Sequence, residues 1–190
     1  MKNIRIILFG LVALGQLAFA AQLILGREAV LREGKVYKFK TAPIDPSDPF
    51  RGKYVRLDFE ESRYTDHSDE PWKRHQMIFV HLTVDSFGFA QIAGVSAERP
   101  EAGIEYVEAR LVSVGEYEEP KRDLTLQYPF DRYYLEESKA PEAERRYRES
   151  ATDEELEAYA KVRIKDGEAV LEEVIVDGIP LREWAREGGK

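Results

Sequence analysis

The chain opens on an apolar run and then changes period. Residues 6–25, IILFGLVALGQLAFAAQLIL, are interrupted only by Gln16 and Gln22. A helix of that length reaches ~30 Å, one hydrocarbon thickness, so the pattern predicts a transmembrane anchor over residues 6–25 behind a basic tail of residues 1–5. Ala18-Phe19-Ala20 also offers a small-x-small cleavage site, as in a secretory leader. Apolar residues nevertheless continue through Leu23-Ile24-Leu25, where a cleaved leader turns polar, and this favours an uncleaved anchor. Ala13, Gln16 and Ala20 share one narrow helical face of small residues with a polar centre, the way one membrane helix packs on another. A lone helix that tolerates one glutamine is the plainer reading of the same residues.

Beyond the anchor the period falls to two. Residues 26–40 form a juxtamembrane segment ending in a strand over Lys35–Lys40, KVYKFK. Residues 60–74 are polar, contain Pro71 and read as a loop. Residues 76–85 and 89–95 are β-branched and aromatic around a turn at Ser86-Phe87-Gly88, the clearest hairpin in the chain. Residues 106–114 and 124–128 continue the pattern. Helical material is confined to one insertion: Pro141 can open a helix with Ala143, Tyr147 and Ala151 on one face, and Thr152 with Glu155 forms a capping box leading to Leu156 and Tyr159. Residues 162–165 and 169–176 then form a hairpin through Asp166-Gly167, a type I′ turn, and Asp177-Gly178 turns the chain towards Ile179-Pro180-Leu181. The tail over 183–190 frays apart from Trp184. About eight short strands and one helical insertion predict a mainly β (α+β) fold, an antiparallel barrel-like domain over residues 41–182 preceded by one transmembrane helix.

Between the first strand and the rest, Pro43, Pro46 and Pro49 recur every third residue. This spacing predicts a stiff polyproline II ribbon with Asp45, Asp48 and Arg51 on one edge and Ile44, Ser47 and Phe50 on another. Gly52 permits a turn into Tyr54-Val55-Arg56-Leu57-Asp58-Phe59, where Val55, Leu57 and Phe59 point inward. Arg51 to Phe59, preceded by Asp45-Pro46-Ser47-Asp48-Pro49, resembles the signature of the bacterial GDYXXLXY family through Gly52, Tyr54 and Leu57. Lys53 stands where the family has aspartate and Phe59 where it has the last tyrosine, so no role needing a carboxylate at position 53 carries over. Arg132-Tyr133-Tyr134 with Glu137 is similar to a second run late in the family's domain. The resemblance implies an N-terminal membrane anchor, no established biochemical activity, and company with multi-pass membrane proteins.

Charge narrows the function classes. The net charge is -8; Lys2 and Arg5 are the only charges before Arg27, which leaves residues 27–190 with 26 bases and 36 acids, a net -10. A domain that acidic is a poor nucleic-acid binder. The absence of cysteine removes disulfides, thiol catalysis and cysteine-zinc sites. His67, His75 and His81 have no ligand spacing, and each reads as a solvated or satisfied histidine. Asp45, Asp48 and Asp58 form the one compact acid group, read as turn-formers or as partners of Arg51. Ser47 lies near Lys53 and Ser62 near Arg63, but neither pair has the setting a serine–lysine hydrolase requires. The run Tyr128, Phe130, Tyr133 and Tyr134 around Arg132 reads as core packing with Arg132 paired to an acid, or as a partner anchor.

These residues lead to an expectation of a non-catalytic, single-pass envelope protein, with no cofactor and no metal. Its partners would be the membrane and a multi-pass integral membrane protein, with no nucleic acid. Short basic tails before apolar cores begin exported chains, so the domain is expected outside the cytoplasmic membrane, periplasmic or extracellular. Asp45, Asp48, Arg51, Gly52, Tyr54, Leu57 and Phe59 would shape the motif region. Gln16, Arg51, Tyr54, Arg132, Tyr133, Tyr134 and Glu137 would supply partner contacts. The alternatives are an envelope hydrolase or metal-dependent enzyme using Asp45, Asp48 and a histidine, or a small-molecule sensor with a β-barrel pocket.

Overall fold

The computed structural model describes residues 2–42, 54–116, 121–134, 145, 147 and 157–183. The proline ribbon, with Asp45, Asp48, Arg51 and Gly52, lies outside them, as do Glu137 and most of the helical insertion. Of that insertion Arg145 and Tyr147 are described; both are helical, and Tyr147 is buried.

Among the described residues eleven strands follow the N-terminal helix α1 (Lys2–Glu33): β1 (Lys35–Lys40), β2 (Tyr54–Arg56), β3 (Arg63–Asp66), β4 (Met77–Val84), β5 (Ala90–Ser96), β6 (Tyr106–Glu116), β7 (Arg122–Gln127), β8 (Arg132–Tyr134), β9 (Ala158–Lys165), β10 (Glu168–Val176) and β11 (Ile179–Pro180). They form a five-stranded sheet ordered β3-β7-β6-β4-β5, a four-stranded sheet ordered β1-β9-β10-β11, and a two-stranded ribbon of β2 and β8. Every ladder between these strands is antiparallel. Bridges from Lys38 to Phe89 and from Val107 to Gly167 join the two large sheets, so the whole is barrel-like and nearly closed. Closure of this kind removes exposed sheet edges.

Alternation explains the strands. In β1 Tyr37 and Phe39 face inward and lysines face out; from Tyr54 to Glu60 every second residue is buried. Asp166 (φ 52°) and Gly167 (φ 89°) turn β9 into β10 with the positive φ angles that a type I′ turn requires. A Cβ on Gly167 would stand 2.4 Å from the Tyr106 ring, so glycine is also needed there for close approach.

The polar stretch 60–74, expected as a loop, instead holds a 3-10 turn at Glu60–Ser62 and the strand β3 paired with β7. The reason is that its deepest inward position is a carboxylate. Asp66 is buried and accepts hydrogen bonds from Trp72 Nε1 and Ser68 Oγ, each at 2.6 Å, so the strand shows no apolar alternation.

The core is aromatic at one level. Phe39, Phe59, Tyr128 and Phe130 are buried, with ring centroids 5.0 to 6.0 Å apart. The Tyr128 hydroxyl donates to the Glu61 carbonyl at 2.7 Å, which satisfies its one polar atom.

The anchor helix does not stop at the end of its apolar run. It continues through Arg27, Glu28 and Arg32 to Glu33, and Val30 is buried against the barrel. Gly34 alone separates helix from strand: its N–H donates to the Val30 carbonyl at 2.8 Å, and a Cβ on it would lie 2.3 Å from that oxygen. Lys165 pairs with Glu33, while Lys161 and, to a lesser degree, Arg163 hold Glu172 at 2.7 and 2.6 Å and keep its carboxyl below the usual range. The helix is long and apolar enough to cross a membrane, and its side chains from Ile4 to Leu25 are largely exposed.

Candidate functional site

The two short motif segments, far apart in the chain, are neighbours in space. β2 and β8 pair antiparallel in the register Tyr54 with Tyr134, Val55 with Tyr133, and Arg56 with Arg132. The Leu57 N–H extends the ladder by donating to the Asp131 carbonyl at 2.8 Å. Alternation divides the ribbon into two faces. Val55 and Tyr133 point inward, and Leu57 and Phe59 continue that buried side into the core. Phe59 packs edge-on to Phe39 and Tyr128, a setting in which a phenyl ring needs no hydroxyl partner.

The outward face carries Tyr54, Arg56, Arg132 and Tyr134. The Tyr54 and Tyr134 rings lie 5.6 Å apart, and the Arg132 guanidinium carbon is 5.3 Å from the Tyr54 ring centroid, within cation–π range. Tyr134 is 65% exposed. A hydrogen bond with Tyr134, with Asp131 nearby at 3.7 Å from Nε, favours the charged form of Arg132. Arg56 and Arg132 stand directly opposite each other, a like-charge cross-strand pair that by itself disfavours the ribbon.

The inward face fixes the ribbon to the barrel. The Tyr133 hydroxyl donates to Glu173 Oε1, and Arg182 Nε lies 2.8 Å from Oε2. Glu173 is 5% exposed and follows a bulge in β10 that turns it inward. Burial, reinforced by the Glu173 contact, pushes the Tyr133 phenol well above its ordinary pKa.

Of the expected contact residues, then, Tyr54, Arg132, Tyr133 and Tyr134 come together, and Gln16 is exposed on a different element, the anchor helix. Arg51 and Glu137 lie outside the described residues. Arg56, Asp131, Glu173 and Arg182 escaped the sequence reading. The adjacent Glu172 and Glu173 break the period-two alternation of β10, and that break was the available signal for Glu173.

The remaining chemistry is dispersed. His81 bonds Ser96 Oγ at 2.9 Å and burial lowers its pKa; His75 occupies a positive-φ turn (68°); His67 is exposed in a loop. Asp58 accepts from the Phe59 N–H at 3.0 Å, a local turn contact. Among the described residues no three His, Asp or Glu side chains converge as a metal site.

The GDYXXLXY family model matches residues 16–174, a span that includes the end of the anchor, both ribbon strands and most of the barrel. The chain belongs to the GDYXXLXY family. Searches of curated proteins and of solved structures return no match. In this GDYXXLXY protein the motif's tyrosine, Tyr54, is on the outward face of the ribbon, while its leucine and the residue at its last position, Phe59, are core.

Proposed function

We propose that this GDYXXLXY protein is a non-catalytic, single-pass accessory subunit whose β domain lies outside the cytoplasmic membrane and binds a multi-pass integral membrane partner through the outward face of β2 and β8. One observation carries the reading: the two motif segments assemble a single surface of two tyrosines and two opposed arginines on an otherwise acidic domain. Two arginines side by side on one exposed face are electrostatically complementary to an acidic partner surface. Tyrosine and arginine are the residue types that dominate binding energy at interfaces.

Placement supports the same reading. Asp131, the residue before β8, also lines a groove whose opposite wall is helix α1 at Phe19, Leu23 and Arg27. The ribbon therefore begins beside the last apolar turns of the anchor, within reach of a neighbour in the bilayer.

The test is co-purification of the detergent-extracted full chain. An integral membrane polypeptide is expected with the wild type and is lost from the Arg56→Glu, Arg132→Glu double variant, which still folds. Equal recovery with both proteins would refute the ribbon as the docking face.

A further inference from the structure

The groove between the anchor helix and the barrel is a second feature, one that rests on the anchor reading but not on the ribbon being a docking face. It encloses about 680 Å³. Its helical wall is Phe19, Gln22, Leu23, Gly26 and Arg27, positions that fall on one face of α1. Phe19 and Leu23 belong to the apolar run and are 64% and 57% exposed, and Arg27 is the first charge beyond it. The groove thus straddles the boundary between hydrocarbon and headgroups, and bilayer lipid is its solvent.

The barrel wall answers both halves of that boundary. Met77, Pro129, Ala169 and Val170 supply apolar surface, and Met77 is 48% exposed. Arg110 adds a second cation to Arg27, Glu108 and Glu168 add anions to the same groove, and the third acid there, Asp131, lies 3.7 Å from Arg132 Nε. Arg27 and Arg110 are exposed and neither forms an ion pair with a described residue.

Size selects among occupants. A helix ~11 Å across has a cross-section of roughly 95 Å², so the groove would take only about five residues of it. The same volume falls inside the range of pockets that hold one small amphipathic molecule. We propose that the groove seats the headgroup and one acyl chain of a phospholipid of the surrounding bilayer, a zwitterion with a primary amine, whose second chain stays in the bilayer. Its phosphate meets Arg27 and Arg110, its ammonium meets Glu108 and Glu168, and an acyl chain lies between Phe19, Leu23, Met77 and Val170. Mixed charge within one groove fits a headgroup that carries both signs, whereas a purely anionic headgroup would leave the glutamates opposed to it.

The test uses the full chain in nanodiscs of phosphatidylethanolamine, a fraction of which carries a photoactivatable diazirine on the acyl chain. After irradiation, lipid adducts are expected on Met77 and Val170 of the barrel. They are also expected on Leu17 and Ile24, which face away from the groove and report general lipid contact. Replacing both cations, Arg27→Gln with Arg110→Gln, lowers the barrel adducts about tenfold, as loss of a charge-assisted contact would, and leaves the Leu17 and Ile24 adducts unchanged. Met77→Trp, which fills the groove from an exposed position, lowers the Val170 adduct as well. Adducts confined to the helix, barrel adducts indifferent to the arginine variants, or a polypeptide adduct on Met77 in place of lipid would each overturn the assignment.

Discussion

Tyr133→Phe is the smallest change that loosens the motif ribbon from the barrel. The ring stays and only the hydroxyl is lost, but that hydroxyl donates to Oε1 of Glu173, a carboxylate 5% exposed. Arg182 contacts the other oxygen at 2.8 Å, yet its own side chain is 64% exposed, so solvent weakens its compensation. Leaving a buried carboxylate oxygen without its donor costs about 1–3 kcal/mol. A double-mutant cycle with Glu173→Ala isolates the pair, with an expected coupling of about 0.5–3 kcal/mol. The assay is urea unfolding of the full chain in detergent micelles, read by near-UV circular dichroism, with hydrogen exchange of the β2 and β8 amides as a local readout. Those amides should exchange faster in Tyr133→Phe while β9 is unaffected. A coupling below about 0.3 kcal/mol, with unchanged exchange in the ribbon, would show that Glu173 does not fix it.

Other expectations follow from single contacts. Gly34→Ala places a methyl 2.3 Å from the Val30 carbonyl and should cost about 1–3 kcal/mol; an unaltered melting temperature would mean that the helix–strand junction yields freely. Phe59→Ala removes a ring packed on Phe39, Tyr128 and Phe130 and should cost about 3–5 kcal/mol in urea unfolding, against about 0.5–1.5 for Thr65→Ala, which loses only an exposed hydrogen bond to Asp123. Burial raises the phenol pKa of both Tyr128 and Tyr147, so the folded state keeps them neutral after the unfolded chain begins to ionise. Their contribution is intact below pH ~10 and declines above it by about 1.4 kcal/mol per pH unit for each. Stability measured from pH 9 to pH 11 should bend downward near 10, and a flat profile would contradict the burial of both hydroxyls.

Much of the barrel was legible because its strands obey a strict period. Residues 54–60 alternate in burial as they alternate in hydrophobicity, and the Asp166-Gly167 turn announces itself by residue type. Where an inward position is polar the pattern disappears, which is why β3, with Asp66 buried, reads as loop. The helix beyond Leu25 was hidden for the opposite reason: Val30 is its one buried residue there, too little to show a face among Arg27, Glu28, Arg32 and Glu33. The site was half legible. Tyr54 and the Arg132-Tyr133-Tyr134 run stood out as separate motifs, but no local feature of either reveals that they pair. Arg56 gains its meaning only from the register that sets it against Arg132.

The central claim is that the outward face of the β2–β8 ribbon touches a partner in the membrane. A photocrosslinking amino acid at Tyr134 in growing cells tests it most directly, with the same probe at the exposed Thr65 of β3 as the reference position. The prediction is a covalent adduct with a multi-pass membrane polypeptide at position 134, absent at position 65 and abolished by Arg56→Glu with Arg132→Glu. Recovery of uncrosslinked monomer from position 134, or the same adducts from both positions, would contradict it.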